Sequence, residues 1–147
     1  MIRLKLAAAT LGLALLAPAP AQAQDVIDML FQRADNAYDI HSFRPFGWQQ
    51  TGDLKPLGEI SYTVTFRGAS QYSLVGVCDA GCDDIDIFVT DENGALVVKD
   101  DEGGDYAVVY IDKPGSYRVR VVMKHCTADV CAFGIKAYRP NGYSPAN

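Results

Sequence analysis

Catalytic motifs and membrane-length apolar runs are missing from this sequence, and histidine is rare. The longest apolar stretch, Leu6 to Leu16, has about half of the ~20 residues that span a bilayer. The two histidines, His41 and His125, lie in neither a G-x-S-x-G nor an H-E-x-x-H pattern. We therefore expect a protein that is not an enzyme and has no transmembrane anchor once its leader is removed.

Positive charge is also scarce. The chain has 13 Lys and Arg residues against 18 Asp and Glu residues, which gives a formal net charge of -5. Arg3 and Lys5 lie in the predicted leader, so its removal takes the charge from -5 to about -7. Such a domain repels phosphate backbones and anionic lipid head groups. We expect no nucleic-acid partner, whereas cations or a basic protein surface would be attracted.

The N-terminus has the pattern of a secretory signal peptide. A short basic region at Arg3 and Lys5 precedes the apolar run, and Ala21-Gln22-Ala23 forms an A-x-A cleavage site. The pattern predicts a signal peptide over residues 1–23 and a periplasmic or secreted mature protein. A retained anchor is the alternative interpretation of the same segment.

Four cysteines form two local doublets, Cys78 with Cys82 and Cys126 with Cys131. In an exported chain they are expected to be paired, although three connectivities are open. We favour the two local pairs because their partners are close in sequence during folding. Loop entropy favours crossed pairs, since a short loop contributes about 2 kcal/mol and a 78–131 link about 4 kcal/mol. A zinc site is a further alternative.

The first part of the mature chain, residues 24–56, is predicted as a helix followed by a linker. The stretch from Asp25 to Ile40 has apolar residues near the 3.6 period, with Asp25 as the N-cap. This helix either packs on the domain or forms a mobile arm. The following segment, 42–56, contains prolines and glycines and is predicted as a loop. Its aromatic residues either fill the core or form a contact surface; they are Phe43, Phe46 and Trp48.

From Leu57 the apolar period changes to two. Short alternating segments are separated by turn signals such as Asn93-Gly94 and Pro114-Gly115. No helical pattern lies between them. This predicts an all-β domain over residues 57–139, an antiparallel β-sandwich of about seven to eight strands with jelly-roll-like topology. Residues 140–147 are predicted as a flexible tail, and we expect a monomer.

Acidic residues concentrate between positions 79 and 105, which hold ten of the 18. Asp84 and Asp86 are two apart on a predicted strand, so their carboxylates share a face. Carboxylate oxygens at this density suit Ca²⁺. The alternative is that these residues cap turns and discourage edge-to-edge aggregation. The calcium hypothesis names four ligands: Asp84, Asp86, Asp100 and Asp101.

The same region resembles the pre-peptidase C-terminal domain. The resemblance lies in Cys78-Asp79-x-x-Cys82-x-Asp84-Ile85-Asp86-Ile87-Phe88-Val89-x-Asp91-x-x-Gly94, in Asp100-Asp101 and in Pro114-Gly115-x-Tyr117-x-Val119-x-Val121. It covers roughly residues 57 to 138. It implies a small β-sandwich or jelly-roll module of the kind appended to secreted bacterial proteases and collagenases, whose collagen-binding members carry Ca²⁺. The cysteine doublets depart from the family pattern and suggest a stand-alone branch.

These observations favour an exported, non-catalytic binding or accessory module. Its ligand would be a protein, a peptide or a polysaccharide. An alternative is an inhibitor or accessory factor of a basic secreted enzyme, such as a lysozyme or a protease. A hydrolase that uses the acidic cluster is a third hypothesis, although the sequence predicts no cleft in which paired carboxylates could straddle a bond.

Overall fold

The computed structural model describes residues 21–68 and 71–142, which form a helix and eight strands. The elements are α1 (Ala21–Ile40), β1 (Phe43–Leu54), β2 (Glu59–Phe66), β3 (Tyr72–Cys78), β4 (Cys82–Thr90), β5 (Leu96–Asp100), β6 (Tyr106–Ile111), β7 (Gly115–Cys126) and β8 (Cys131–Pro140). The strands are paired antiparallel in two four-stranded sheets. The predicted all-β sandwich with an N-terminal helix is confirmed. No helix in the described ranges is both long and apolar enough to cross a membrane.

One sheet has the strand order β1-β8-β3-β6 and is called here the covered sheet, because α1 packs on its outer face. The other has the order β2-β7-β4-β5 and is called the open sheet. Alternation along β7 shows how the core forms. Tyr117, Val119 and Val121 are buried between the sheets, while Arg118 and Arg120 point outward. Fully burying an aliphatic side chain contributes about 1.5–3 kcal/mol, so this period-two burial stabilises the sandwich.

Helix α1 is docked rather than mobile. Ile27 and Phe31 are buried against the covered sheet. They approach β8 at Gly134, where a built Cβ would lie only 2.5 Å from the Phe31 Cζ and 2.7 Å from the Ile27 Cγ2. The helix begins at Ala21 rather than after an Asp25 cap, so the predicted cap is wrong. Ala21 to Ala23, predicted as the cleavage motif, lie in its first turn, whereas residues 1–20 lie outside the described ranges.

A polar network holds the helix in place. Asp35 on α1 accepts hydrogen bonds from Lys136 Nζ at 2.8 Å and from the Tyr138 hydroxyl at 2.8 Å. The Tyr38 ring stacks on Tyr138 at 4.2 Å, and its hydroxyl lies 2.5 Å from that of Ser73. Burial raises the pKa of Tyr38 to about 12, and burial together with Asp35 raises the pKa of Tyr138. Both hydroxyls therefore stay protonated at neutral pH.

The predicted loop over 42–56 is wrong, because Phe43–Leu54 forms strand β1 and pairs with β8. A register shift between Pro45 and Gln49 accommodates the proline, and Gly47 within it adopts a φ of +91°. β1 is an edge strand, the position in a sheet where proline is tolerated because one side of the strand needs no ladder hydrogen bonds. Strand β8 likewise extends to Pro140, so the first residue of the predicted tail is in a strand; residues 143–147 are outside the described ranges.

The three aromatic residues of β1 are partly buried against the apolar clusters. Phe46 packs with its ring centroid 5.4 Å from that of Phe66, and Trp48 lies 6.2 Å from Tyr62. Phe43 contacts Tyr38 of the helix edge-on at 5.8 Å. The core-filling alternative is therefore supported for these partly buried side chains, and a contact surface at Phe43, Phe46 and Trp48 stays a prediction.

Both disulfides are the local pairs that we favoured, Cys78–Cys82 and Cys126–Cys131, and no cysteine is free. Cys82 lies opposite Cys126 in the register of β4 and β7. The two bonds therefore lie at the same end of the sandwich. They fix the start of β4 and the connection from β7 to β8.

Candidate functional site

Two of the acidic residues cap turns, as the structural alternative predicted. The Asp91 carboxylate accepts hydrogen bonds from the backbone N–H groups of Asn93 and Ala95, each at 2.9 Å. Asp79 accepts from the N–H of Gly81 at 3.1 Å and from that of Ala132 at 2.9 Å. These carboxylates stabilise connections between strands.

Asp100 and Asp101 are also occupied by contacts within the fold. Asp100 accepts a hydrogen bond from the Val108 N–H at 2.8 Å, which joins β5 of the open sheet to β6 of the covered sheet. Its other oxygen accepts from the Glu102 N–H at 3.3 Å. Asp101 pairs with Lys99 at 2.5 Å, and this hydrogen bond lowers the pKa of the exposed Asp101 carboxyl.

Asp84 and Asp86 each have one buried carboxylate oxygen without a hydrogen-bond partner among the described residues. Asp86 is only 2% exposed. Burial raises the pKa of Asp86, the negative charge of Asp84 raises it further, and Lys124 acts in the opposite direction. This pair is the acidic feature that the turn-capping interpretation leaves unexplained.

The four predicted calcium ligands do not form one ligand group. Within residues 21–68 and 71–142, no three His, Cys, Asp or Glu side chains come together in a group that could hold a metal ion. Two of the four, Asp100 and Asp101, are engaged in the contacts described above. Calcium binding by this acidic segment, predicted at Asp84, Asp86, Asp100 and Asp101, stays a prediction, which a comparison of melting temperatures with a chelator and with millimolar Ca²⁺ would test.

The two histidines lie in separate exposed positions. His125 Nδ1 pairs with the exposed carboxylate of Asp83, and His41 is exposed just after the end of α1. All four cysteines are in disulfides, so no thiol is available for a Cys–His pair. Among the described residues, neither histidine is paired with a serine, threonine or cysteine that it could activate.

A groove crosses the outer face of the open sheet. Strand register places Ser61, Arg120, Phe88 and Lys99 in one row across the four strands, and Thr63, Arg118, Thr90 and Leu96 in the next row. The cavity measures about 580 Å³. We call it the basic groove and define it by its lining residues: Glu59, Ser61, Phe88, Thr90, Leu96, Lys99, Arg118 and Arg120.

The cations of the basic groove differ in their contacts. The Arg120 guanidinium carbon lies 4.3 Å from the centroid of the Phe88 ring, and its NH1 lies 2.9 Å from the Glu59 carboxylate. Lys99 is paired with Asp101. Arg118 is exposed, and no side chain of the described chain forms an ion pair or hydrogen bond with its guanidinium. Arg118 is thus available to a ligand.

A smaller concavity lies between the end of α1 and the edge of the covered sheet. It measures about 270 Å³ and is lined by Ala37, Tyr38, His41, Phe43, Val108 and Tyr110. Ligand pockets in proteins are typically about 300–1,000 Å³. The basic groove lies within that range, and it is formed by residues from all four strands of its sheet.

The basic groove was not predictable from the sequence. In the sequence, Arg118 and Arg120 alternate with Tyr117, Val119 and Val121, a pattern that places both arginines on one face of a strand. Nothing in the sequence predicted which strands neighbour β7. Ser61 lies beside the arginines because β2 pairs with β7. Lys99 joins the same row because β5 pairs with β4, which in turn pairs with β7.

Solved structures with a similar fold support the β-sandwich architecture described above. The pre-peptidase C-terminal domain of a collagenase from Bacillus anthracis superposes with a TM-score of 0.50 at 14% identity, over 61% of this chain and 87% of that domain. This chain shares its fold. The sequence resemblance to that domain is thereby supported at the level of architecture, and the likeness extends to the fold alone.

Two further solved structures are similar at lower scores. A mitogen derived from Yersinia pseudotuberculosis has a TM-score of 0.49 at 10% identity, over 70% of this chain and 92% of its own. PliG from Aeromonas hydrophila, a periplasmic inhibitor of g-type lysozyme, has a TM-score of 0.40 at 16% identity, over 63% and 83%. No family model and no curated protein matches this chain in sequence.

Proposed function

We propose that this protein is an exported, non-catalytic binding module whose ligand lies across the outer face of the open sheet. The observation that carries this proposal is the difference between the two sheets. Helix α1 packs on one outer face, whereas the other presents a groove of about 580 Å³ that is formed by all four of its strands. Concave sites of this size commonly hold ligands.

Export is supported by the disulfides. Both cysteine pairs are closed, and disulfides persist in oxidising compartments such as the periplasm and the cell exterior. The predicted signal peptide points to the same location. A non-catalytic role is supported by the positions of the histidines and by the absence of free thiols.

The charge of the groove bears on the class of ligand. Three cations and one carboxylate line it, and Asp101 pairs with Lys99 beside it, so the groove has a small excess of positive charge that does not favour a basic enzyme. This weakens the inhibitor alternative for the open sheet. A polysaccharide, peptide or protein with neutral or negative charge fits the face better.

A pair of tryptophan variants tests this proposal. Thr90→Trp adds a large side chain to the lining of the groove. Asn36→Trp adds the same side chain at an exposed position on α1, which packs on the other sheet. Binding would be measured by interferometry against purified envelope polysaccharides, peptides and secreted proteins. We expect a ligand that binds the wild type and Asn36→Trp equally and that Thr90→Trp binds at least tenfold more weakly. A ligand bound equally by all three proteins, or no ligand in the panel, would contradict the proposal.

A further inference from the structure

We propose that the ligand of the basic groove is a polysaccharide of carboxylate-bearing sugars, with Arg118 as its principal carboxylate contact. This inference rests on the proposed function and names the class of substrate. It depends on three features of the groove: the sign of its charge, the arrangement of its cations and the chemistry of its remaining side chains.

The sign of the charge is opposite to that of the whole chain. Three cations, Lys99, Arg118 and Arg120, outnumber the two carboxylates that pair with groove residues, Glu59 and Asp101, in a protein whose formal net charge is -5. Arg120 and Lys99 have partners within the fold, but Arg118 has none among the described residues. An arginine binds a carboxylate through two parallel N–H···O hydrogen bonds, which adds geometric specificity to the charge. An exposed arginine without a fold partner is therefore suited to an anionic ligand.

The cations are distributed along and across the groove. Arg118 and Arg120 are two residues apart on β7, so their Cα atoms are about 6–7 Å apart and their side chains share a face. Lys99 lies in the row of Arg120, two strands away and thus about 10 Å across the sheet. A ligand that contacts all three needs several negative groups spaced along an extended molecule. A polymer with one carboxylate on each sugar has that form.

The other side chains of the groove favour a sugar over an acidic protein. Protein interfaces depend on large apolar or aromatic anchors that enter desolvated pockets. Here the Phe88 ring lies beneath the Arg120 guanidinium. Ser61 and Thr90 supply hydroxyl groups to the same surface, and Leu96 lies there as an exposed apolar side chain. Hydroxyls can donate and accept hydrogen bonds, which matches the hydroxyl groups of a sugar chain.

Calorimetry with a defined oligomer tests this inference. The probe is a linear oligomer of six galacturonic acids, titrated into the mature protein at low ionic strength and again at about 0.15 M salt, where the Debye length is about 8 Å. We expect binding that weakens as salt increases. A charge-assisted hydrogen bond contributes about 1.5–3 kcal/mol, so Arg118→Gln should weaken binding about tenfold or more, and Arg118→Lys should weaken it less.

The matched control is Arg33→Gln, which removes an exposed arginine from α1. It should leave the affinity unchanged. All three variants should melt at the wild-type temperature, because these arginines are exposed and lie outside the core. Binding that Arg118→Gln does not weaken would overturn the assignment of Arg118.

Two other probes separate the remaining outcomes. A neutral oligomer of six glucose units that binds as tightly would overturn the role of charge. A peptide of six glutamates that binds as tightly would overturn the choice of a polysaccharide and indicate an acidic protein partner. If the galacturonate oligomer does not bind while another ligand is lost in Thr90→Trp, this inference fails and the proposed function stands. If no ligand is lost in that variant, both fail.

Discussion

Replacing Gly134 with alanine tests whether α1 packs directly on strand β8. The new Cβ would lie 2.5 Å from the Phe31 Cζ, 2.7 Å from the Ile27 Cγ2 and 2.8 Å from the Phe31 Cε2. Carbon atoms in contact are normally about 3.5–4.0 Å apart. The helix would therefore have to move away from the sheet by about 1 Å, or both side chains would have to leave their buried positions.

The expected cost follows from two opposing effects. Overpacking a filled site typically costs about 1–3 kcal/mol. Alanine in place of a strand glycine recovers about 0.5–1 kcal/mol, because glycine loses more conformational freedom on folding. We expect a net loss of about 1–2 kcal/mol in the free energy of unfolding. For a domain of this size that corresponds to a melting temperature lower by about 4–8 °C.

The assay is thermal unfolding followed by circular dichroism, with amide hydrogen exchange on α1. The matched control is Gly103→Ala, where a new Cβ meets no atom within 4 Å. The control should change stability by less than about 0.5 kcal/mol. In Gly134→Ala, exchange should increase most in α1, since the helix is the displaced element. An unchanged melting temperature, or unchanged protection of α1, would refute the direct packing of helix on strand.

Three further predictions test separate parts of the structure. Burial raises the pKa of Asp86, so the carboxyl favours folding while protonated and this contribution is lost as the pH rises through the raised pKa. Asp86→Asn should therefore raise the denaturation midpoint at pH 7, with no difference below about pH 4; a lower midpoint at pH 7 would contradict the burial of this charge. Replacing Cys126 and Cys131 together by serine opens a short loop and should lower the free energy of unfolding by about 2 kcal/mol in urea titration, whereas no loss would argue against this pairing. Lys136→Met leaves Asp35 without its counter-charge and should cost about 2 kcal/mol in the same assay, part of which the double variant with Asp35→Leu should recover; a neutral single variant would remove the ion pair from the account of helix docking.

Strand positions were predictable where apolar and polar residues alternate in the sequence. The alternation of Tyr117, Val119 and Val121 with polar residues predicted β7 directly, and Asn93-Gly94 predicted the turn before β5. Strand β1 was missed because Pro45 and Gly47 are typical of loops. Its pairing with β8 depends on contacts some 90 residues apart, which local patterns do not record.

The candidate site was less predictable than the fold. The concentration of acidic residues in one segment led to the prediction of a calcium site. In the structure, Asp79, Asp91 and Asp100 accept hydrogen bonds from backbone N–H groups within the fold. The basic groove is assembled from four strands that are distant in sequence. Its two arginines alternate with apolar residues in the sequence, but their grouping with Lys99 depends on the order of the strands in the sheet.

Mapping the bound ligand onto the fold tests the central claim most directly. The ¹⁵N–¹H correlation spectrum of the protein would be recorded during titration with the galacturonate oligomer. We predict that the shifted amides lie on the open sheet, around Ser61, Phe88, Lys99, Arg118 and Arg120. Shifts confined to α1 and the covered sheet, or a spectrum unchanged at saturating oligomer, would contradict a carboxylate-binding face on this sandwich.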